Sequence, residues 1–171
     1  MAALAGRASC IGEVGLDKKF VPQTFEKQLP VFRRMVEAAV ERGLPLNIHS
    51  PGAWREVYRV LRDYGVEKAV FHWYTGPLDL LREIVSAGYY VSVNAALKVQ
   101  AKMRRVAREA PLESIVLESD GPYRYRGLEL SPRMIPEAAR LVAAEKGVTL
   151  EAVREAVLEN TFTLYGRPRQ A

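Results

Sequence analysis

Residues 25–49, FEKQLPVFRRMVEAAVERGLPLNIH, contain the structural unit that decides the fold. In Phe25–Glu41 apolar residues recur every three or four positions, which predicts a helix with one buried side. Gly43 follows, and a glycine just past a helix can adopt the left-handed conformation that ends it. Leu44–His49 is then a short apolar run with little alternation, which is typical of a parallel strand covered on both faces. The stretch therefore predicts a helix followed directly by a buried strand.

The same unit recurs along the chain. Short apolar runs predict five strands, at Cys10–Leu16, Leu44–His49, Lys68–Trp73, Tyr89–Asn94 and Ser114–Glu118. Helical spacing occurs in Phe25–Glu41, Trp54–Tyr64, Leu80–Val85, Leu97–Ala110, Met134–Lys146 and Leu150–Tyr165. Ser50-Pro51 and Ser131-Pro132 resemble an N-cap followed by a first-turn proline. Because strands joined by helices form parallel sheets, we expect an α/β fold of five parallel strands alternating with helices.

Length and composition limit the class of protein. The 171 residues, of which 49% are hydrophobic, suit a single domain over Met1–Ala171. A single cysteine, Cys10, excludes an intrachain disulfide and a cysteine-cluster metal site. We find neither a run of about 20 apolar residues nor a signal-peptide pattern, so we expect no membrane contact and a cytoplasmic location. The net charge of +5 is compatible with a phosphate-bearing partner but does not require one.

Polar side chains stand at the predicted carboxyl ends of the strands. In chain order they are Glu13, His49, His72, Asn94, Glu118 and Asp120. These strand ends converge on one face of a parallel β/α fold, and both histidines of the chain fall there. Imidazoles and carboxylates are ligands for Zn, Mn or Mg, and a bound cation activates water for hydrolysis. Each residue alone also fits an ordinary core or turn role, so the metal site is predicted by the combination.

Two pairs of residues beside these strand ends are ambiguous. Trp73 and Tyr74 follow His72 and fit either the core or a substrate pocket. Arg124 and Arg126 follow the last strand and are candidates for phosphate contacts.

The chain resembles the TatD-type metal-dependent hydrolases, also called TatD deoxyribonucleases. The matching pieces are Gly12–Asp17, Phe25 with Gln28-Leu29, Leu44–Ser50, Phe71–Trp73, Leu117–Pro122, and Asn160 with Leu164–Gly166. No single piece is specific, but the ordered set is. The resemblance implies a partial TIM-like (β/α) barrel, of which this chain would supply the last five βα units. It also implies that phosphodiester bonds of DNA are cleaved with one or two divalent cations, Zn, Mg or Mn.

The resemblance assigns a role to each polar strand end. Glu13 would bind or bridge metal, His49 and His72 would be ligands, and Asp120 would be a ligand that orients the attacking water. Glu118 would be a supporting catalytic carboxylate beside Asp120. Two mild departures are Trp73, where the family often has Cys, and Ser119, where it often has Thr.

One departure is serious, because the family's His-x-His pair on its first strand has no counterpart here. The chain begins just before what resembles the family's fourth strand. It could be a fragment or start too far downstream, with Met1–Ser9 as the tail of a preceding helix. It could be an open five-stranded sheet with helices on both faces, or a relative that has lost catalysis. We expect weak or absent activity for the chain alone, and homo-oligomers formed through the two open sheet edges.

Two other functions stay open from the sequence. A metal-dependent amidohydrolase would use the same ligands on a carbonyl substrate. A non-catalytic interaction module would keep the fold and the basic surface but bind no metal.

Overall fold

The computed structural model describes residues 8–166. The ends of the predicted single domain, residues 1–7 and 167–171, lie outside this range. The proposed helical tail Met1–Ser9 therefore falls mostly outside the described residues, and Ala8 and Ser9 are not helical.

Within residues 8–166 five parallel strands form one sheet, as the apolar runs predicted. They are β1 (Ile11–Gly15), β2 (Leu46–His49), β3 (Ala69–Phe71), β4 (Tyr90–Val93) and β5 (Ile115–Leu117). Their order in the sheet is their order in the chain. A sheet with helices on both faces needs a reversal in strand order, and this sheet has none. The arrangement with two helical layers is therefore wrong, and the order is that of a partial (β/α) barrel.

In the described part of the chain, six α-helices follow or separate the strands. They are α1 (Phe25–Arg42), α2 (Trp54–Asp63), α3 (Leu78–Ser86), α4 (Ala101–Glu109), α5 (Ile135–Lys146) and α6 (Leu150–Tyr165). Short 3₁₀ turns lie at Pro22–Thr24, Ala95–Lys98, Leu112–Ser114 and Pro132–Met134. Gly43 caps α1 with φ of +61°, as its position predicted. The predicted start at Ser50-Pro51 is wrong, because α2 begins at Trp54 after a turn.

The strands carry different chemistry on their two faces. Buried side chains of Leu46, Ile48, Phe71 and Val91 belong to the large core cluster shared with the helices. Alternate residues point to the opposite face, which we call the site face. The expectation of strands covered on both faces is therefore incomplete, because the site face is polar at the carboxyl ends of the strands.

The lower part of the site face is apolar and closed. Val70 and Val116 pack there with Leu164 at the end of α6, and Tyr90 and Tyr165 pack against them. Burial, with smaller contributions from nearby Cys10 and Glu118, raises the pKa of the Tyr165 phenol to about 12. The polar strand ends therefore lie next to a layer of packed apolar side chains on the same face.

A β-hairpin that the sequence reading did not predict follows β5. Strands β6 (Tyr123–Tyr125) and β7 (Leu128–Leu130) pair antiparallel around Arg126 and Gly127. These two turn residues have φ of +47° and +83°, as in the two-residue turn that matches strand twist. The hairpin places Tyr123 and Tyr125 beside the carboxyl end of the sheet.

Within residues 8–166 the helices are all too short or too polar to cross a bilayer. The cytoplasmic location stays a prediction.

Candidate metal and active site

The polar strand ends meet at the carboxyl edge of the sheet. Glu13 lies on β1, His49 ends β2, and His72 follows β3. Glu118 and Asp120 follow β5, and the sequence-predicted residues thus come together. A close backbone approach makes this possible: a Cβ on Gly15 would lie 1.7 Å from the carbonyl oxygen of His49. Glycine at this position lets β1 and β2 run side by side up to the site.

His72 is the most enclosed of these side chains. Its Nδ1 lies 2.5 Å from Glu118 Oε2, and its Nε2 lies 3.2 Å from Asp120 Oδ1 and 3.6 Å from Glu13 Oε1. Burial disfavours the charged ring, but hydrogen bonds to Asp120 and Glu118 and the charge of Glu13 outweigh it. The pKa of His72 is consequently raised to about 10.

Glu118 is itself held in place from β4. The Ser92 hydroxyl donates to Glu118 Oε2, and Asn94 Nδ2 donates to Oε1 at 3.1 Å. Asn94 is fully buried, and its own Oδ1 accepts from the Ala96 N–H at 2.9 Å. The carboxylate that faces His72 Nδ1 therefore has a fixed orientation.

His49 has a matching arrangement that sequence reasoning missed. Its Nδ1 lies 2.8 Å from Glu13 Oε1, and its Nε2 lies 2.9 Å from Asp17 Oδ2. The hydrogen bond with Glu13, opposed by burial and helped by Asp17, raises the pKa of His49. The same bond with His49 is the main reason that the pKa of Glu13 is lowered.

Asp17 is built into the loop after β1. Its Oδ1 accepts from the backbone N–H groups of Lys19 and Phe20 at 2.8 and 2.7 Å. Gln28 binds the Asp17 backbone in both directions, accepting from its N–H at 2.7 Å and donating to its carbonyl at 3.2 Å. Burial opposes ionisation, yet the bonds from His49, Phe20 and Lys19 lower the pKa of Asp17. The sequence did contain a signal for this role of Asp17, namely a carboxylate four residues after Glu13.

These side chains contact one another directly. Among residues 8–166 no three His, Cys, Asp or Glu side chains already surround one point as metal ligands do. The spacing is nevertheless close to that of a ligand set, because two donors on a tetrahedral zinc lie about 3.3 Å apart when each bond is about 2.0–2.1 Å. Glu13 Oε1 lies 2.8 Å from His49 Nδ1 and 3.6 Å from His72 Nε2. Two imidazole nitrogens and carboxylate oxygens are also the donor types that such cations take.

A cavity of about 320 Å³ opens over these residues. His49, His72, Asp120 and Glu13 line it together with Lys19, Phe20 and several aromatic rings. Trp73 is one of these rings, whereas Tyr74 is fully buried in the core. The candidates Arg124 and Arg126 are not among the residues that line this cavity. Arg124 is paired to Glu129, and Arg126 is placed over the Tyr125 ring.

Comparison with known proteins identifies the family. The model of the TatD related DNase family matches residues 2–166. TATDN3 of Mus musculus is 36% identical, over 93% of this chain and 56% of that protein. A Bacillus subtilis protein named as an uncharacterized metal-dependent hydrolase, YabD, is 29% identical, over 91% of this chain and 64% of its own.

Solved structures agree on the fold. YJJV of Escherichia coli, described as a TatD homolog, superposes with a TM-score of 0.86 at 26% identity, over 98% of this chain and 68% of that one. The chain spans about 56 to 64% of the length of the curated relatives it matches. From the family match and the agreement of fold, the chain belongs to the TatD related DNase family.

Proposed function

We propose that this chain carries the cation site of a metal-dependent hydrolase that cleaves phosphodiester bonds of DNA. One observation carries the proposal. Two imidazoles, His49 and His72, are each held at one nitrogen by a carboxylate, Asp17 or Glu118, and turn the other nitrogen toward Glu13. A histidine fixed by a carboxylate in this way is the usual arrangement of a metal ligand and its supporting partner.

The ligands of one cation would be Glu13, His49 and His72, with Asp120 beside them at His72 Nε2. Zn, Mn and Mg are the candidate ions, and one or two could bind. A divalent cation here would supply charge neutralisation at a phosphoryl oxygen and lower the pKa of water. Because the chain has only two histidines, we expect its activity alone to be weak.

Other residues of the site would orient the metal ligands and the attacking water. With a cation bound His72 would be neutral, and Glu118 would accept its Nδ1 proton and so keep the Nε2 lone pair directed at the site. Ser92 and Asn94 keep Glu118 in that position, which makes Glu118 a positioning residue. Asp120 faces the cavity and would orient a water molecule and accept its proton.

The choice of DNA rests on the relatives and on charge. The human relative is named deoxyribonuclease TATDN3 and is 32% identical over 95% of this chain. The net charge of +5 is compatible with a polyanionic substrate, and Lys19 lines the cavity.

We also propose that the chain self-associates. In the described part of the chain no strand pairs with the outer edge of β1 or of β5. Free strand edges promote pairing with another copy. Light scattering after size exclusion would show a dimer or larger species. A monomer at about 100 µM would refute self-association.

The test is hydrolysis of labelled single- and double-stranded oligonucleotides with Mn²⁺, Mg²⁺, Zn²⁺ or chelator. We expect cleavage that needs both a cation and His72, so His72→Ala abolishes it while the exposed helix variant Arg33→Ala does not. Cleavage of an anilide but not of DNA would identify an amidohydrolase instead. Oligonucleotide binding that ignores chelator and falls steeply with salt, without cleavage or cation binding, would identify an interaction module.

A further inference from the structure

Three aromatic side chains form a wall beside the candidate metal ligands. The ring centroids of Trp73 and Tyr125 lie 5.1 Å apart, and those of Trp73 and Tyr123 lie 6.1 Å apart, both edge to face. Tyr123 and Tyr125 are nearly parallel, at 25° and 6.5 Å. We call Trp73, Tyr123 and Tyr125 the aromatic wall.

Hydrogen bonds hold two of the wall residues, Trp73 and Tyr125, in place. Trp73 has φ of +42°, which is uncommon for a bulky residue, and its N–H donates to Ser92 Oγ at 3.0 Å. Its indole Nε1 donates to Gln100 Oε1 at 2.8 Å, and Gln100 Nε2 donates to the Tyr125 hydroxyl at 3.0 Å. The polar atoms of Trp73 and Tyr125 thus already have hydrogen-bond partners within the protein. A ligand would therefore contact the rings of these two residues.

Core packing explains the positions of Trp73 and Tyr125, which pack against the large core cluster, but it does not explain the exposure of Tyr123. Tyr123 is 52% exposed although it is a large aromatic residue. All three rings line the same cavity as His72 and Asp120. Its volume of about 320 Å³ lies at the lower end of the ~300–1,000 Å³ typical of small-ligand sites, which suits one planar group and its attachment.

We propose that the aromatic wall binds one unpaired nucleobase of the substrate next to the scissile phosphate. This deepens the proposed function and rests on it. A base inside a duplex already has both faces stacked, so it can reach the wall only from a single strand or a frayed end. Any base could occupy the wall, because every base has a π-face.

The first experiment measures binding without hydrolysis. Fluorescein-labelled oligothymidylate of six nucleotides is compared, in chelator, with a six-unit abasic strand of equal charge. We expect the thymidylate to bind about fivefold to 150-fold more tightly, the range for one stacked base. In a Trp54→Phe background, Trp73 is the remaining tryptophan, and its emission should be quenched by thymidylate only.

Variants of Tyr123 test whether the wall is responsible. Tyr123→Ala should remove most of the difference between the two strands, whereas Tyr123→Phe, which keeps the ring, should retain it. Equal affinities of the wild type for the two strands, including no measurable binding of either, overturn the proposal. A preference that survives in Tyr123→Ala also overturns it.

Cleavage of the same two strands with Mn²⁺ separates this proposal from the proposed function. If both strands are bound and cleaved equally, the base subsite is wrong and the phosphodiesterase stands. If thymidylate binds preferentially but neither strand is cleaved, the subsite stands and the phosphodiesterase is wrong.

Discussion

Loss of the proton from His72 should make the metal-free protein less stable as the pH rises. This ring has three carboxylates around it, with Glu118 at 2.5 Å, Asp120 at 3.2 Å and Glu13 at 3.6 Å. Burial opposes its charge, but the hydrogen bonds to Asp120 and Glu118 and the charge of Glu13 raise the pKa of His72 from 6.5 to about 10. Folding therefore favours the protonated ring.

The sign and size of the effect follow from linkage. Below pH 6.5 both the folded and the unfolded chain hold the proton, so the full stabilisation is present. Between pH 6.5 and about 10 only the folded chain holds it, and the unfolding free energy falls by about 1.4 kcal/mol per pH unit. Over the whole interval the loss is about 5 kcal/mol, and above pH 10 no further loss arises from His72.

Urea unfolding in chelator at pH 6.5, 7.5 and 8.5, followed by circular dichroism, measures this slope. His72→Gln is the control, because the amide does not titrate while the other groups of the chain do. We expect the wild type to lose about 2–3 kcal/mol more than the variant between pH 6.5 and 8.5. Parallel curves for the two proteins would refute the assigned environment of His72.

Three further predictions concern Asp17, Gly15 and Asn160. Asp17→Asn should weaken cation binding about 10- to 100-fold in calorimetric titrations, because it removes the carboxylate that orients His49, and unchanged affinity would contradict this. Gly15→Ala should cost about 3 kcal/mol of unfolding free energy, since the methyl would clash with the His49 carbonyl. Gly65→Ala is the control: the added carbon has open space, so only the left-handed backbone conformation should cost free energy, about 1–2 kcal/mol. Equal costs for the two glycines would refute the clash at Gly15. Asn160→Ala should cost about 2–4 kcal/mol in urea unfolding, because its amide donates at 2.9 Å to the carbonyl of Leu112, in the 3₁₀ turn before β5, and at 2.7 Å to that of Ile115, the first residue of β5. A cost below about 0.5 kcal/mol would show that these bonds do not hold α6.

The strands and helices were predictable because their signals are local. A run such as Leu44–His49 and a glycine such as Gly43 each specify their own conformation with little help from distant residues. The convergence of Glu13, His49, His72 and Asp120 also followed, since parallel strands necessarily bring their carboxyl ends to one edge.

The rest of the site depends on contacts far apart in sequence. Asp17 supports His49, 32 residues away, only because the chain after β1 continues beside the end of β2, where the Leu16 N–H donates to the His49 carbonyl. The direction of Trp73 depends on one left-handed backbone angle, which no side-chain pattern specifies. The hairpin had a readable signal, the alternation in Tyr123–Leu130 around Arg126-Gly127, but its strands of three residues each are very short.

The central claim is that His49 and His72, each backed by a carboxylate, share a cation with Glu13. Anomalous diffraction from crystals grown with Zn²⁺ tests it most directly. We predict the strongest peak at about 2.0–2.2 Å from a Glu13 oxygen and from one ring nitrogen of each histidine. A peak elsewhere, or none at this position in crystals that hold zinc at other sites, would contradict the claim.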